Sequence, residues 1–188
     1  MPALGLVSGT TGNLGTRIGD ELILTPTRTP YETLRRRDLV SLDLDGVPRG
    51  RGGRPSREAP MHAAVLRDHG EGTVIHTHST YALAWSFLGI ELEPSIEENA
   101  YYDIGAVGTL PPLPSGSTEL AEAVAGALGG SNAVLLAGHG VVAVGATPTA
   151  ALHRALAVEN QAEVCWLLRL AGEGSDNRHV RGDADDAG

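Results

Sequence analysis

Apolar residues fall along this chain in two rhythms, short alternating or unbroken runs and longer stretches with a helical repeat, and the two take turns for most of its length. "ELILTP" and "DLVSLDLDG" read as strands, each closed by a turn signal, the second at the Asp45-Gly46 pair. From Val47 to Pro55 the composition shifts to Gly, Arg and Pro, which predicts an exposed loop. A helix is expected from near Ser56 through "APMHAAVLRDHG", stopped by Gly70. "GTVIHTH" follows as a buried strand and "STYALAWSFLG" as the next helix. Beyond a stretch punctuated by Pro and Gly, "STELAEAVAGALGG" carries acids near its start and glycines at its end, as a helix does. "AVLLAGHGVVAVG" is two strands, or one long bent strand, broken at Gly138-His139-Gly140. The last helix opens with Thr147 as N-cap and Pro148 as its first residue. Along it Ala151, Ala155, Val158, Ala162 and Cys165 recur at steps of four and three, which puts Cys165 on the core side rather than in a reactive position.

Composition narrows the classes that this pattern leaves open. The 188 residues suffice for one domain with a real core, expected over residues 1–171, and the polar, acidic, Gly/Asp-rich residues 172–188 read as a disordered tail. A net charge of −9 argues against nucleic acid as the main partner. No apolar run reaches the roughly 18–20 residues of a membrane span, the start lacks a signal-peptide pattern, and the single cysteine excludes an internal disulfide. Cytoplasmic residence without a membrane partner is the expectation. More informative chemically, all fourteen basic residues are arginine. Without lysine the chain has no Schiff-base nucleophile, no pyridoxal phosphate anchor and no Walker-loop lysine, so carbanion chemistry here needs a metal or hydrogen bonds.

The histidines supply a candidate. In "VIHTHS", His76 and His78 are two positions apart at the end of an apolar run, and a strand sends both to one face. Paired imidazoles pack poorly and grip a metal well. His139, between two glycines after the apolar "AVLLA", is a third candidate ligand at a second strand end. Three neutral imidazoles leave a coordination position open, as in catalytic rather than structural zinc sites. Three unrelated histidines remain the plain alternative.

Four separated motifs, in order, then resemble the class II aldolase/adducin family. "SGTTGN" (Ser8 to Asn13) is similar to the family's glycine-rich anion loop, and "LILTPT" (Leu22 to Thr27) to the strand and turn that complete it. "PSRE" (Pro55 to Glu58) resembles the segment with the catalytic acid, and "HTHS" with "GHG" resembles the metal triad. The resemblance runs from about Leu6 to Leu170. It implies an α/β sandwich with a central, largely antiparallel sheet flanked by helices. It implies a divalent ion, zinc by expectation and one per chain, held by His76, His78 and His139, with Glu58 as acid/base and Gly12, Asn13, Thr27 and Ser56 around a phosphate. The implied reaction is cleavage or formation of a small ketose phosphate, such as a 5-deoxyketose 1-phosphate, giving dihydroxyacetone phosphate and an aldehyde. Epimerase, dehydratase and decarboxylase chemistry, and a non-catalytic adducin-like assembly role, are the alternatives. The implied assembly is a homotetramer with interfacial sites, and the implied substrate a small anionic sugar.

Three positions depart from the family pattern. Arg28 stands where the family usually has glycine, Arg57 where it has serine, and Gly15 where it has serine. Two guanidinium groups at the anion loops could clamp a phosphate or carboxylate bidentately. For a tyrosine proton donor, Tyr101 and Tyr102 are the nearest candidates in sequence.

Overall fold

The computed structural model describes residues 1–50, 52–93 and 97–172. Its strands are β1 (Asn13–Ile18), β2 (Glu21–Leu24), β3 (Val40–Leu42), β4 (Gly72–Thr77), β5 (Thr109–Leu110), β6 (Ala133–Leu136) and β7 (Gly140–Gly145). Its helices are α1 (Ala59–His69), α2 (Thr80–Ser86), α3 (Glu97–Tyr101), α4 (Thr118–Leu128) and α5 (Pro148–Leu170). The strands form one sheet in the order β3-β2-β1-β4-β7-β6-β5. Only the β5–β6 pairing is parallel, so the sheet is largely antiparallel, as expected.

Side-chain alternation divides the core into two layers. On β4, Val74 joins a cluster with Met61, Val65 and Leu66 of α1 and Leu120 and Val124 of α4. The next residue, Ile75, joins the opposite cluster, with Ala82 and Trp85 of α2 and Ala151, Ala155 and Val158 of α5. The whole of β4 is buried, and its apolar centre, Val74 and Ile75, supplies one residue to each layer. Helices thus cover both faces of the sheet around its central strands.

Several local expectations shift. The strand expected over "DLVSLDLDG" ends at Leu42, because Asp43 Oδ1 accepts the N–H groups of Asp45 and Val47 and turns the chain. The helix expected from near Ser56 starts at Ala59, with Glu58 in the N-cap position. The "AGHG" stretch resolves into two strands joined by a tight turn, not one bent strand. Gly140 is obligatory there, since a Cβ on it would lie 2.0 Å from the Thr77 carbonyl oxygen. The Pro- and Gly-punctuated middle holds α3 and the two-residue β5, too short for any periodicity to reveal. Thr147 caps α5 through the N–H of Ala150, and Cys165 packs against the second core cluster as the helical spacing predicts. Of the expected tail, residues 173–188 lie outside the described residues. Among the described residues, no helix is long and apolar enough to cross a membrane.

Candidate active site

Register brings the site together. Asn13, the first residue of β1, pairs with His76 on β4, and His76 pairs in turn with Val142 on β7. His76 lies in the strand on the α1 face, fully buried, and His78 follows just past the strand end. His139 sits in the β6–β7 turn, whose geometry returns it beside β4. Their three ligand nitrogens fall within 4.8 Å of one another. The expected triad is therefore one cluster in space.

The donor set fits a divalent cation. His76 Nδ1 donates to the Val141 carbonyl at 3.0 Å, which leaves the Nε2 lone pair directed at His78 Nε2, 2.9 Å away. Burial pushes the His76 imidazole down to about 3, against the opposing pull of the Glu58 charge. Burial also lowers His78, with the nearby His139 adding to it. Both rings are accordingly neutral near pH 7, the form that binds metals.

Glu58 closes the other side of the cluster. Its carboxylate lies 3.1 Å from His139 Nε2 through one oxygen and 3.5 Å from His76 Nε2 through the other. An N-cap acid ordinarily serves the helix, but Glu58 makes no side-chain cap bond and turns inward instead. Asn13 Nδ2 donates to its Oε2 at 2.8 Å, and Ser115 Oγ to its Oε1 at 3.3 Å. Burial alone would raise its pKa; the bond to His139, the charge of His76 and the Asn13 amide outweigh this and hold the carboxyl well below its usual range.

Beside Glu58, an open cavity of about 350 Å³ is lined by Thr27, Arg28, Arg54, Pro55, Ser56 and Arg57. Its two loops are joined where the Thr27 N–H donates to the Arg54 carbonyl at 2.9 Å. Ser56 Oγ accepts the Glu58 N–H at 3.2 Å, so the cavity wall and the acid share one turn. Arg28 takes a left-handed backbone, φ 55°, the conformation that glycine adopts most easily. The Arg57 stem lies against the 113–117 loop, where a Cβ on Gly116 would stand 2.6 Å from its Cγ.

Of the expected anion residues, Thr27, Arg28, Ser56 and Arg57 thus share this cavity, whereas Gly12 and Asn13 are not among its lining residues. Gly12 rests against the His76 backbone, and the Asn13 side chain is buried toward Glu58. Tyr101 and Tyr102 meet edge to face, and Tyr102 lies tilted against His153. Among the described residues neither ring has a bond to Glu58 or the three histidines. Sequence reading missed Arg54, Ser115 and His62. Only His62 left a signal, since it lies one helical turn beyond Glu58 and so on its side of α1.

Comparison with known proteins shows the family to which this chain belongs. Residues 1–166 match the family model described as the class II aldolase and adducin N-terminal domain. The chain is 36% identical over 169 residues to the 5-methylthioribulose-1-phosphate/5-deoxyribulose-1-phosphate aldolase of Rhodospirillum rubrum, covering 87% of this chain and 74% of that one. It is 30% identical over 183 residues to an L-ribulose-5-phosphate 4-epimerase of Salmonella paratyphi C, covering 90% and 80%. The solved L-fuculose-1-phosphate aldolase of Thermus thermophilus superposes with a TM-score of 0.80 at 31% identity, over 92% of this chain and 90% of that one. The chain belongs to the class II aldolase family and is an enzyme of that family.

Proposed function

We propose that this enzyme is a metal-dependent aldolase that cleaves or forms a carbon–carbon bond in a small ketose phosphate, a 5-deoxyketose 1-phosphate being the leading candidate. The observation that carries the reading is the placement of a proton-carrying group within hydrogen-bond reach of the metal cluster, Glu58 Oε1 at 3.1 Å from His139 Nε2. His76, His78 and His139 would hold the ion, zinc by preference. When bound, a divalent cation there supplies a Lewis acid for adjacent hydroxyl and carbonyl oxygens of the sugar. Glu58 moves the proton: ionised at rest, it takes the proton of the hydroxyl on the carbon that becomes the aldehyde. The carbon–carbon bond breaks to leave an electron pair on the carbon next to the carbonyl, and Glu58 passes the proton to that carbon. Thr27 and Ser56 offer hydroxyls to the phosphate, and Arg28, Arg54 and Arg57 offer charge.

Epimerase chemistry is the second reading, favoured by the 30% identity to an L-ribulose-5-phosphate 4-epimerase. It would use the same cluster to break and remake one bond without releasing the fragments. Assembly as a homotetramer belongs to the same proposal. Its support here is Phe87, 72% exposed yet lying against Gly138 beside His139, an apolar contact surface at the edge of the site. Zinc-loaded protein incubated with dihydroxyacetone phosphate and a panel of short aldehydes tests the reading. New ketose phosphates support aldolase activity. Failure of every aldehyde, with interconversion of pentulose phosphates instead, would favour the epimerase.

A further inference from the structure

Two buried polar side chains behind Glu58 belong to neither the metal cluster nor the cavity. His62 of α1 is fully buried, and its Nε2 is hydrogen-bonded to Asn13 Oδ1. The amide nitrogen of Asn13 donates onward to Glu58 Oε2 at 2.8 Å. Chemistry assigns the direction of this chain. An ionised carboxylate only accepts, so Asn13 must turn its NH₂ to Glu58 and its carbonyl oxygen to His62. That oxygen can only accept, so His62 must carry a proton on Nε2, and a second proton on Nδ1 would be buried without an acceptor, which keeps the ring neutral. The remaining ring nitrogen, Nδ1, is then a buried acceptor, and it has no hydrogen-bond partner. An orphaned acceptor is the less costly end to leave unpaired.

The surroundings hold the ring in this orientation. Gly15 lies opposite, and a Cβ at that position would stand 2.7 Å from His62 Nδ1. A serine there would displace the ring. Gly15 follows Asn13 by two residues on β1, so both face α1.

We infer that His62 is a positioning residue: it donates to Asn13, thereby fixes the amide so that it can only donate to Glu58, and so holds the acid/base carboxylate against the metal cluster. The inference rests on the proposed role of Glu58 and extends it to residues outside the substrate cavity. Without His62, the Asn13 amide is free to invert and present its oxygen to the carboxylate.

Two substitutions and one spectrum test this. His62→Leu removes the donor, while His62→Gln keeps a side-chain N–H with similar reach. The expected result is a kcat about 10- to 100-fold lower for His62→Leu, with KM within about twofold, as for loss of an outer partner at a metal site. Bound zinc per chain, measured by mass spectrometry, should be unchanged, and His62→Gln should regain most of the loss. Equal losses in the two variants, or losses that follow zinc content, would mean a packing role and overturn the assignment. Nitrogen-15 NMR of the metal-free wild type reads the ring directly: a neutral Nε2–H tautomer is expected for His62, and an Nδ1–H tautomer overturns the inference. That readout needs no substrate. Wild type inactive with every sugar phosphate but carrying the Nε2–H tautomer would therefore count against the aldolase reading and leave the His62–Asn13–Glu58 arrangement in place.

Discussion

Asn13 and His76 face each other across β1 and β4, and this one register pair joins the acid to the metal cluster. Asn13 holds Glu58 from behind, while His76 presents Nε2 3.5 Å from the same carboxylate oxygen. A slip of β1 by one residue against β4 would turn Asn13 to the opposite face, away from Glu58 and His76. The site therefore depends on sheet pairing as much as on its own residues.

Metal content is the first consequence. About one divalent ion per chain is expected for a three-histidine site. His76→Ala, His78→Ala and His139→Ala should each abolish most zinc retention and turnover. His139 is partly exposed in a turn, so its replacement should leave the folding midpoint nearly unchanged, whereas the fully buried His76 should cost stability as well. Dialysed protein assayed by metal analysis and by thermal melting separates these effects. Full activity in metal-free wild type would rule out the triad as the catalytic centre.

Glu58→Gln is the second. The amide can still occupy the pocket and accept from Asn13, but it cannot carry a proton. Zinc content should stay near wild type while kcat falls by about 10²- to 10⁴-fold. Near-normal turnover in this variant would remove Glu58 as the acid/base.

Much of this arrangement is legible from the sequence because it lies on regular elements. A strand's two-residue period aligns His76 with His78, and the glycines around His139 mark the turn that returns it to them. Other parts are not. Nothing local distinguishes Asn13 as a partner of Glu58 rather than of a ligand, because its role comes from the β1–β4 register and from a ring on α1. Arg54 sits in a loop without periodicity, and the Thr27–Arg54 backbone bond, which no local pattern announces, ties it to the cavity. Asp43 likewise ends β3 through side-chain bonds that compete with continued pairing.

Acid should destabilise the metal-free protein. Burial holds the His62 imidazole down at about 4, against a smaller upward pull from the Glu58 charge, whereas the unfolded chain titrates near 6.5. Between those values the unfolded state binds a proton that the folded state refuses, so stability is intact above pH 6.5 and falls as the pH drops toward 4. His62 alone accounts for roughly 3 kcal/mol across that window. His76, held at about 3, adds a loss of similar slope over the same window and carries it below pH 4. Urea titrations at pH 7, 6, 5 and 4 should show the decline, and His62→Leu should make it shallower, leaving the share of His76. A wild-type stability that stays constant over this range would contradict the burial of neutral His62.

The arginines of the cavity separate binding from folding. Arg28 holds a left-handed backbone, which costs a non-glycine residue about 1–2 kcal/mol. Arg28→Gly relieves that strain but gains unfolded-state freedom, a penalty of roughly 0.5–1 kcal/mol, so the variant should be as stable as wild type or slightly more so. If its guanidinium serves the anion, the same change should raise KM for a phosphorylated substrate severalfold and leave an unphosphorylated analogue nearly unaffected, since charge-assisted bonds are about twice as strong as neutral ones. Arg57→Ser should act in the same direction on KM while also losing the packing of its stem near Gly116, and so should lower stability modestly. Arg54→Ser, at an exposed position on the cavity rim, should change KM without changing the melting point. Paired measurements of KM on both substrates and of the unfolding midpoint decide the matter. Equal, small effects on the charged and neutral substrates would show that the three arginines are surface residues and that Thr27 and Ser56 hold the anion without them.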